Sequence, residues 1–318
     1  LILHDDVRLA PDAVTHLVSE AFRVNAGVVG PKLVDWDDPS RLVSAGISVD
    51  TYGHATEIVE AGELDQSQHD TPREVFALSD ACLLVRSDLF RTLGGFSEDI
   101  PFFGEDVDLC WRAHVAAATV RLCPSAVAAH RNRFAERRPV EDRERLELRH
   151  EARSTFTNYE PFRVLRLLPA VVVLSLVDLV GSLVVGRARR AGDVVASWLW
   201  NLVKLPSLVR ARSRVKRIRR AHDADYLPLM RKGSARLISL VRPEDGENRL
   251  HSAAEAGRGY LRELASGSQR GGVWLALATI FLVLVGVRDL FTGPLPVVRE
   301  LIDPGESPGR LLSEWWTG

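Results

Sequence analysis

Two short segments carry residues whose types and spacing could do chemistry. In the first, His4, Asp5 and Asp6 end an apolar run at the start of the chain. In the second, Glu105 and Asp106 lie in a loop that opens a predicted helix. Carboxylates at such positions can bind a divalent cation or accept a proton. Together the segments fit a metal-bound, phosphate-carrying substrate, with one cluster for the cation and the other for a base.

The intervening elements must position these residues, and their patterns alternate between strand and helix. The apolar run over residues 1–7 predicts a strand, and apolar residues at helical spacing over 11–24 predict a helix. A loop-rich stretch over 35–75 allows only short strands. Further strands are predicted over 27–34, 75–85, 119–123 and 126–130, and further helices over 86–93 and 105–117. This alternation predicts a three-layer α/β domain with a mostly parallel sheet.

At 318 residues the chain has room for one catalytic domain and a further region. Its character changes near residue 160, where charged segments give way to apolar ones. We therefore divide the chain into four parts. These are a catalytic domain over 1–160, transmembrane or interfacial helices with a basic patch over 161–220, a soluble helical linker over 221–270, and a transmembrane helix with a tail over 271–318.

Apolar runs in the second half of the chain have about the length that a bilayer span requires. Residues 167–186 form a run of about twenty residues, which is enough for a membrane-spanning helix. The run over 272–287 contains no charged residue and is bounded by arginines. A third segment, 194–209, fits a helix at the membrane interface at least as well as a second span. We expect a multi-pass protein of the cell membrane, with the number of crossings left open.

The net charge of −1 hides an uneven distribution. The first 110 residues are rich in Asp and Glu, whereas arginines occur in bursts over 187–220. Such a basic region could bind nucleic acid. Because it lies beside apolar segments, we expect anionic lipid headgroups as its partner and no nucleic acid. Basic residues flank both sides of the region, so the positive-inside rule gives no clean topology.

Cys82, Cys110 and Cys123 lack the spacing of metal ligands and are expected to be reduced thiols. This expectation fits a cytosolic face. The chain opens with neither a signal peptide nor an initiator Met. Because Leu1 already lies in a predicted strand, we expect the chain to be a fragment that lacks structure upstream.

Several short motifs occur in an order and spacing that are fairly specific. They are His4-Asp5-Asp6-Val7, Gly30-Pro31-Lys32-Leu33, Leu83-Leu84-Val85-Arg86, Gly94-Gly95-Phe96, the segment from Glu105 to Arg112, and His130-Arg131. Through them, residues 1–135 resemble the C-terminal half of an inverting glycosyltransferase of family 2, of the large membrane-attached type found in actinobacteria. The resemblance implies a glycosyltransferase-A-like domain, incomplete at its N-terminus, followed by a helical membrane region.

The resemblance also implies a nucleotide-sugar donor, with Mg²⁺ or Mn²⁺ on its diphosphate. Asp6 matches the last acid of the family's metal motif, and Asp5 matches the middle position, which often faces the ribose or the sugar. His4 stands where many members have the first Asp, and an imidazole can also bind Mn²⁺. His130 matches a late histidine that completes the metal site in some members. The implied metal ligands are therefore His4, Asp6 and His130.

By the same resemblance, Asp106 matches the catalytic base and Glu105 matches its partner in the acidic pair. The implied reaction is a single displacement, in which the base takes a proton from an acceptor hydroxyl and the oxygen attacks the anomeric carbon. The acceptor would be a lipid-linked or polysaccharide molecule, and the catalytic domain would face the cytoplasm. The family holds the nucleotide with strands that precede the metal motif, so this chain alone is expected to bind a donor poorly.

Alternative interpretations of these residues stay open. Asp5 and Asp6 could form a turn after a strand, where Asp is common. Glu105 and Asp106 could stabilise the start of a helix, which is compatible with catalysis. His130 could be an ordinary loop histidine. For the whole chain, the alternative to an enzyme is a non-catalytic membrane scaffold that retains the fold. A metal phosphohydrolase is disfavoured, because that class carries its His-Asp pair on helices and this pair ends a strand.

Overall fold

The fold is seen in a computed structural model of the chain. It describes residues 1–131, 140–184 and 186–234. The chain divides into two units. The first comprises Leu1–Pro161 and Ala196–Arg231, and the second comprises Phe162–Val195 and Lys232–Gly318. Most of the predicted linker and all of the predicted C-terminal span and tail therefore lie outside the described residues.

A mixed sheet forms the centre of the first unit. Its strands and those of a small accessory pair are β1 (Ile2–Leu3), β2 (Val7–Leu9), β3 (Val28–Asp35), β4 (Leu42–Ser44), β5 (Ile47–Val49), β6 (Ala55–Glu57), β7 (Arg73–Glu74), β8 (Cys82–Val85) and β9 (Val120–His130). β5 and β6 pair with each other. The main sheet has the order β1-β8-β3-β9-β2, with β4 beside β3 and β7 beside β9.

The strand directions differ from those predicted. β3 and β9 are parallel neighbours, whereas the other pairs of the main sheet are antiparallel. The prediction of a mostly parallel sheet is therefore wrong. Alternating strands and helices give a parallel sheet when each helix links two neighbouring strands. Here the helix after β2 leads to β3, and the helices after β8 lead to β9, and neither pair of strands is adjacent in the sheet.

Three strand predictions also change in detail. The strand predicted over 75–85 is confined to β8, Cys82–Val85. The predicted strand over residues 1–7 is interrupted by a turn at Asp5 and Asp6, which separates β1 from β2. The predicted strands 119–123 and 126–130 form the single strand β9, whose register against β3 shifts after Cys123. Pro124 follows at this point, and a proline has no N–H to donate to the neighbouring strand. The sequence pattern therefore predicted two separate strands where the structure has one strand with a local shift in its pairing to β3.

Helices alternate with the strands and continue into the second half of the chain. They are α1 (Ala13–Arg23), α2 (Ser87–Leu93), α3 (Glu105–Val115), α4 (Val140–Asn158), α5 (Pro161–Val184), α6 (Ala188–Val203), α7 (Leu205–Ile218) and α8 (Asp223–Tyr226), followed by a 3₁₀ turn over Leu227–Leu229. The three helices predicted in the first 120 residues correspond to α1, α2 and α3. Gly94 ends α2 with a φ of +79°, and Gly104 precedes α3 with a φ of +101°. Both angles lie in the left-handed region that favours glycine.

The core of the first unit fixes the direction of α3. Trp111, in the middle of α3, is fully buried. Its ring centre lies 5.3 Å from that of Phe76 and 4.8 Å from that of Tyr159, both in edge-on contacts. Loss of such a buried aromatic side chain costs about 3–5 kcal/mol. The packing therefore holds the acidic N-terminus of α3 in a defined position.

The second unit contains most of α5. Over Pro161–Leu183 this helix has the length and apolar composition to cross a bilayer, and it is the only helix among the described residues that does. Apolar side chains along it are exposed, as at Leu165 and Leu183. The acid inside the run, Asp178, pairs with Arg190 of α6 at 2.9 Å. The second predicted span, 272–287, lies outside the described residues.

The predicted interfacial segment 194–209 is divided between two helices. α6 and α7 meet at Lys204, and Pro206 occupies the first turn of α7, where its missing N–H has no cost. With 16 and 14 residues, each helix is shorter than the roughly 20 residues of a typical span. Of the two alternatives for this segment, interfacial helices fit these lengths better than a second span.

Candidate active site

Several strand ends meet at one edge of the main sheet. β1, β3 and β9 run in one direction and end here, while β2 and β8 run in the opposite direction and begin here. The polar residues at or next to these ends include His4, Asp6, Asp80 and His130. The N–H of His4 donates a hydrogen bond to the carbonyl of Ala81 at 3.0 Å, which ties the end of β1 to the start of β8. The topology thus gathers side chains that are far apart in the sequence.

His4, Asp6 and His130 form a compact cluster. Each offers one potential ligand atom, and these atoms all lie within 4.8 Å of one another. Nε2 of His130 lies 3.4 Å from Oδ1 of Asp6. The rings of His4 and His130 lie 5.9 Å apart at an angle of 68°. Asp5 belongs to the same turn but is exposed and is not a member of the cluster.

Two imidazoles and one carboxylate are a suitable donor set for a divalent transition metal. Imidazole ligands suit such ions, whereas Mg²⁺ prefers a shell of oxygen atoms. A ligating histidine must be neutral, and burial lowers the pKa of His130. Of the two cations that the resemblance implies, Mn²⁺ therefore fits this cluster better than Mg²⁺.

Asp80 lies next to the cluster and was not predicted from the sequence. Its Oδ2 atom lies 3.3 Å from Nε2 of His4. The hydrogen bond to this carboxylate raises the pKa of His4, although burial acts in the opposite direction. In the sequence, Asp80 follows Ser79 and precedes Ala81, a pattern that indicates only a turn before a strand. Its contact with His4 depends on the pairing of β1 with β8, which the local sequence does not indicate.

Glu105 begins α3 and faces Asp80. Burial, together with the charge and hydrogen bonding of Asp80, raises the pKa of Glu105 to about 7, while His4 acts in the opposite direction. Two carboxyl groups in contact cannot both ionise without cost. Glu105, beside Asp80, therefore holds a proton more strongly than a solvated glutamic acid does.

Asp106 lies beside Glu105 in the first turn of α3. Its Oδ1 atom accepts a hydrogen bond from the N–H of Val107 at 2.7 Å. Burial raises the pKa of Asp106 well above its ordinary value, and the charges of Asp80 and Glu105 add to this effect. A carboxylate with a raised pKa is a stronger proton acceptor. Both candidate catalytic acids thus lie within electrostatic reach of Asp80.

Asp108, the third acid in this turn, holds α3 in place. Its Oδ2 atom pairs with Arg112 at 2.8 Å, and its Oδ1 atom accepts a hydrogen bond from Nδ2 of Asn158 at 3.1 Å. Nη1 of Arg112 donates to the carbonyls of Leu93 and Gly95 at 2.9 and 2.8 Å. This buried network connects α3 with the end of α2 and with α4.

A stack of basic and aromatic side chains lies at the same strand ends. The guanidinium carbons of Arg8 and Arg131 lie 4.5 and 4.6 Å from the centre of the Trp36 ring, within the range of cation–π contacts. Trp36 follows β3, Arg131 follows β9, and Arg8 lies in β2. These residues were not predicted to interact, because contacts between separate strands leave no local pattern in the sequence.

Comparison with known proteins finds partial similarities. No known family profile matches the chain. Over 74 residues, which are 22% of this chain and 16% of the relative, the chain is 40% identical to the pre-mycofactocin glycosyltransferase of two Mycobacterium tuberculosis strains. Over 147 residues, which are 43% of this chain and 11% of the relative, it is 30% identical to the O-antigen biosynthesis protein RfbC of Myxococcus xanthus.

The chain thus spans less than a fifth of the length of these curated relatives, at 16% and 11%. One of them is named a glycosyltransferase, and the other is named for the biosynthesis of O-antigen. The mixed α/β sheet is compatible with a glycosyltransferase-A-like domain.

Proposed function

We propose that this chain belongs to the catalytic domain of a membrane-attached glycosyltransferase. The enzyme would move a sugar from a nucleotide-sugar donor to a lipid-linked or polysaccharide acceptor, with inversion. The observation that carries the proposal is the meeting of two groups at one sheet edge. One is the His4, Asp6 and His130 cluster, which suits a cation on a diphosphate, and the other is the acidic start of α3, which suits a proton acceptor.

His4, Asp6 and His130 would hold the cation, with Mn²⁺ preferred. When bound, the cation would stabilise the negative charge of the departing diphosphate. Asp80 would fix the orientation of the His4 ring through their hydrogen bond, as carboxylates commonly do for ligating histidines. Asp5 would face the ribose or the sugar from the exposed side of the turn.

Arg8 and Arg131 would bind phosphate oxygens of the donor. Arg8 lies in β2, just after Asp6, and Arg131 follows His130, the last residue of β9. Guanidinium groups form strong, charge-assisted hydrogen bonds to phosphate. The contacts of both guanidinium groups with the Trp36 ring reduce the freedom of these side chains. Less conformational entropy is then lost when the donor binds.

Asp106 would act as the base. It would take the proton of the acceptor hydroxyl, whose oxygen attacks the anomeric carbon on the side opposite to the diphosphate and so inverts the configuration. Its burial makes it a stronger base than a solvated Asp. Glu105, hydrogen-bonded to Asp80, would help to position the acidic start of α3, so that the two acids of the motif have different roles.

α5 would attach the protein to the cell membrane, and the catalytic domain would face the cytoplasm, where nucleotide sugars are made. Support comes from the length and the exposed apolar side chains of this helix. After carbonate extraction of membranes, the natural protein that carries this chain should stay in the membrane pellet. Its release into the supernatant would contradict a transmembrane attachment and leave only peripheral binding by the arginine-rich region.

The function is tested by a transfer assay on the natural protein that carries this chain. Labelled sugars from a panel of nucleotide sugars are followed into lipid and polysaccharide fractions, with Mn²⁺ and with EDTA. We expect transfer that needs Mn²⁺ and is lost in the Asp106→Asn variant. A folded protein that transfers no sugar from any donor would instead favour a non-catalytic membrane scaffold that retains the fold.

A further inference from the structure

A second concave site in the first unit lies apart from the sheet edge. It is a cavity of about 300 Å³ between the loop after α2 and the helices α3, α4 and α7. Arg112 of α3, Thr157 of α4 and Arg214 of α7 are among the residues that line it. None of the candidate metal ligands or candidate catalytic acids lines it, so the cavity is separate from the candidate active site.

The lining of this cavity is basic. It contains four arginines and two carboxylates, namely Arg112, Arg153, Arg214 and Arg217 against Glu98 and Asp108. Two of the arginines are buried and already paired. Arg112 pairs with Asp108 at 2.8 Å, and Arg153 pairs with Asp99 at 2.6 Å. The positive charge that is not neutralised by a paired carboxylate therefore comes from the two arginines of α7.

Arg214 and Arg217 supply this charge. Both are exposed, and neither forms a hydrogen bond or an ion pair with any residue that the structure describes. They lie three positions apart on α7, so their side chains are neighbours on one face of the helix. Like charges in this arrangement repel each other, and an anion between them would remove the repulsion.

Thr157 adds a second and independent observation. The residue is only 7% exposed, and its Oγ1 atom has no hydrogen-bond partner among the described residues. Buried hydroxyl groups nearly always have a partner. A ligand in the cavity that carries an acceptor oxygen would provide one.

We propose that this cavity binds a phosphate group, held by the hydroxyl of Thr157 and the guanidinium groups of Arg214 and Arg217. A phosphate carries several acceptor oxygens and a negative charge, which match a buried hydroxyl and two unpaired guanidinium groups. The same chemistry is offered by a soluble phosphate ester and by the headgroup of an anionic lipid. Binding here does not depend on the sugar-transfer reaction.

The first test is calorimetric titration of the purified full chain with inorganic phosphate. The Arg214→Gln/Arg217→Gln variant should bind about tenfold more weakly or worse, because it loses charge-assisted hydrogen bonds. The matched control is Arg210→Gln/Lys216→Gln, which removes the same charge from exposed positions of α7 that do not line the cavity. Equal loss of binding in both variants would show general attraction to a basic helix and would overturn the proposal.

Thr157→Val separates binding from folding. The substitution keeps the shape of the side chain and removes the unpaired hydroxyl, so the unfolding temperature should be unchanged or higher. Phosphate binding should nevertheless weaken several-fold. Unchanged phosphate affinity in this variant would contradict a site inside the cavity.

A second titration distinguishes the two sources of the phosphate. Short-chain, water-soluble phosphatidic acid is titrated into wild type and into the arginine double variant. Tighter binding than inorganic phosphate, lost in that variant, identifies a lipid headgroup as the ligand. Binding of inorganic phosphate alone identifies a soluble phosphate ester. Failure of the wild-type chain to bind either probe would overturn the proposal.

Discussion

Oδ2 of Asp80 lies 3.3 Å from Nε2 of His4, and the same side chain is hydrogen-bonded to Glu105 at the start of α3. Asp80 thus links the cluster of candidate metal ligands to the candidate catalytic acids. The link arises because β1 pairs antiparallel to β8, which brings Asp80, two residues before β8, close to His4, the residue after β1. A single carboxylate therefore contacts both parts of the candidate site.

Replacing Asp80 by Asn should weaken Mn²⁺ binding by the purified chain by about ten- to a hundredfold, the usual effect of losing a partner of a ligating histidine. The amide keeps the size of the side chain and loses its charge, so the fold should persist. Titration of Mn²⁺ followed by electron paramagnetic resonance measures the affinity. Asp88→Asn is the control, because Asp88 is exposed and pairs with Arg86 elsewhere. An unchanged affinity in Asp80→Asn would contradict the positioning role.

Asp6→Ala removes the carboxylate of the cluster, and it should abolish measurable Mn²⁺ binding while the circular dichroism spectrum stays unchanged. The neighbouring Asp5→Ala is a closely matched comparison, because it removes an exposed acid from the same turn. We expect Asp5→Ala to retain most of the Mn²⁺ affinity. If Asp5→Ala loses Mn²⁺ binding and Asp6→Ala retains it, the ligand is Asp5 and the assignment is wrong by one residue.

Local patterns were sufficient to predict the helices that carry the candidate site. Apolar spacing predicted α1, and the two glycines at 94 and 95 predicted the end of α2. The start of α3 at Glu105 also agrees with the prediction. These signals are local, since they depend on residues within one or two helical turns.

The features that local patterns missed all depend on which strands are neighbours. The sheet directions, the contact between Asp80 and His4, and the stacking of Arg8 and Arg131 on Trp36 join residues that are far apart in the sequence. Which strands become neighbours is decided by the packing of the whole domain, so it cannot be predicted from the pattern of a short segment. The grouping of His4 with Asp6 and His130 was predicted through the family resemblance alone.

Asp106→Asn should lower turnover about 10²- to 10⁴-fold, the typical contribution of a positioned base, while donor binding persists. The asparagine keeps the size of the side chain and cannot accept the proton. Turnover is measured in the natural protein that carries this chain, and donor binding is measured separately by calorimetry. Glu105→Gln should have a smaller effect, because the proposed role of Glu105 is to position the acidic start of α3 through its hydrogen bond to Asp80 and not to accept the proton. Near-normal turnover in Asp106→Asn together with an inactive Glu105→Gln would assign the base to Glu105.

His114 should make the stability of the chain depend on pH. Its Nε2 atom donates a hydrogen bond to the carbonyl of Phe76 at 2.9 Å, and burial lowers the pKa of His114 to about 4. In the unfolded chain the pKa is about 6.5. Between these values the unfolded chain binds a proton that the folded chain does not. The stabilisation is therefore fully present above about pH 6.5 and is lost as the pH falls toward 4, by about 3 kcal/mol in total.

The check is urea unfolding of wild type and His114→Gln at several pH values between about 7 and 4.5. Glutamine can still donate to the carbonyl of Phe76, but it does not titrate. The free energy of unfolding of the variant should fall less steeply with decreasing pH than that of wild type. His16→Gln, at a partly exposed position on α1, should keep the wild-type slope. Parallel curves for wild type and His114→Gln would contradict the assignment.

The buried pair of Asp108 and Arg112 should be the most sensitive ionic contact of α3. Both side chains are nearly inaccessible, at 2% and 8% exposure, and Arg112 also holds the end of α2 through two carbonyls. Asp108→Asn leaves the guanidinium group buried without its counter-charge, which costs about 3–5 kcal/mol. The measurement is the free energy of unfolding in urea.

A double variant distinguishes the charge from the packing. In Asp108→Asn/Arg112→Met neither charge remains, so the double variant should be more stable than Asp108→Asn alone if the uncompensated charge is the main cost. An exposed pair gives the reference: Asp88→Asn, which breaks the contact of Asp88 with Arg86, should change stability far less. If Asp108→Asn is no more destabilising than Asp88→Asn, the buried network does not hold α3, and the position of Glu105 and Asp106 must depend on the packing of Trp111 instead.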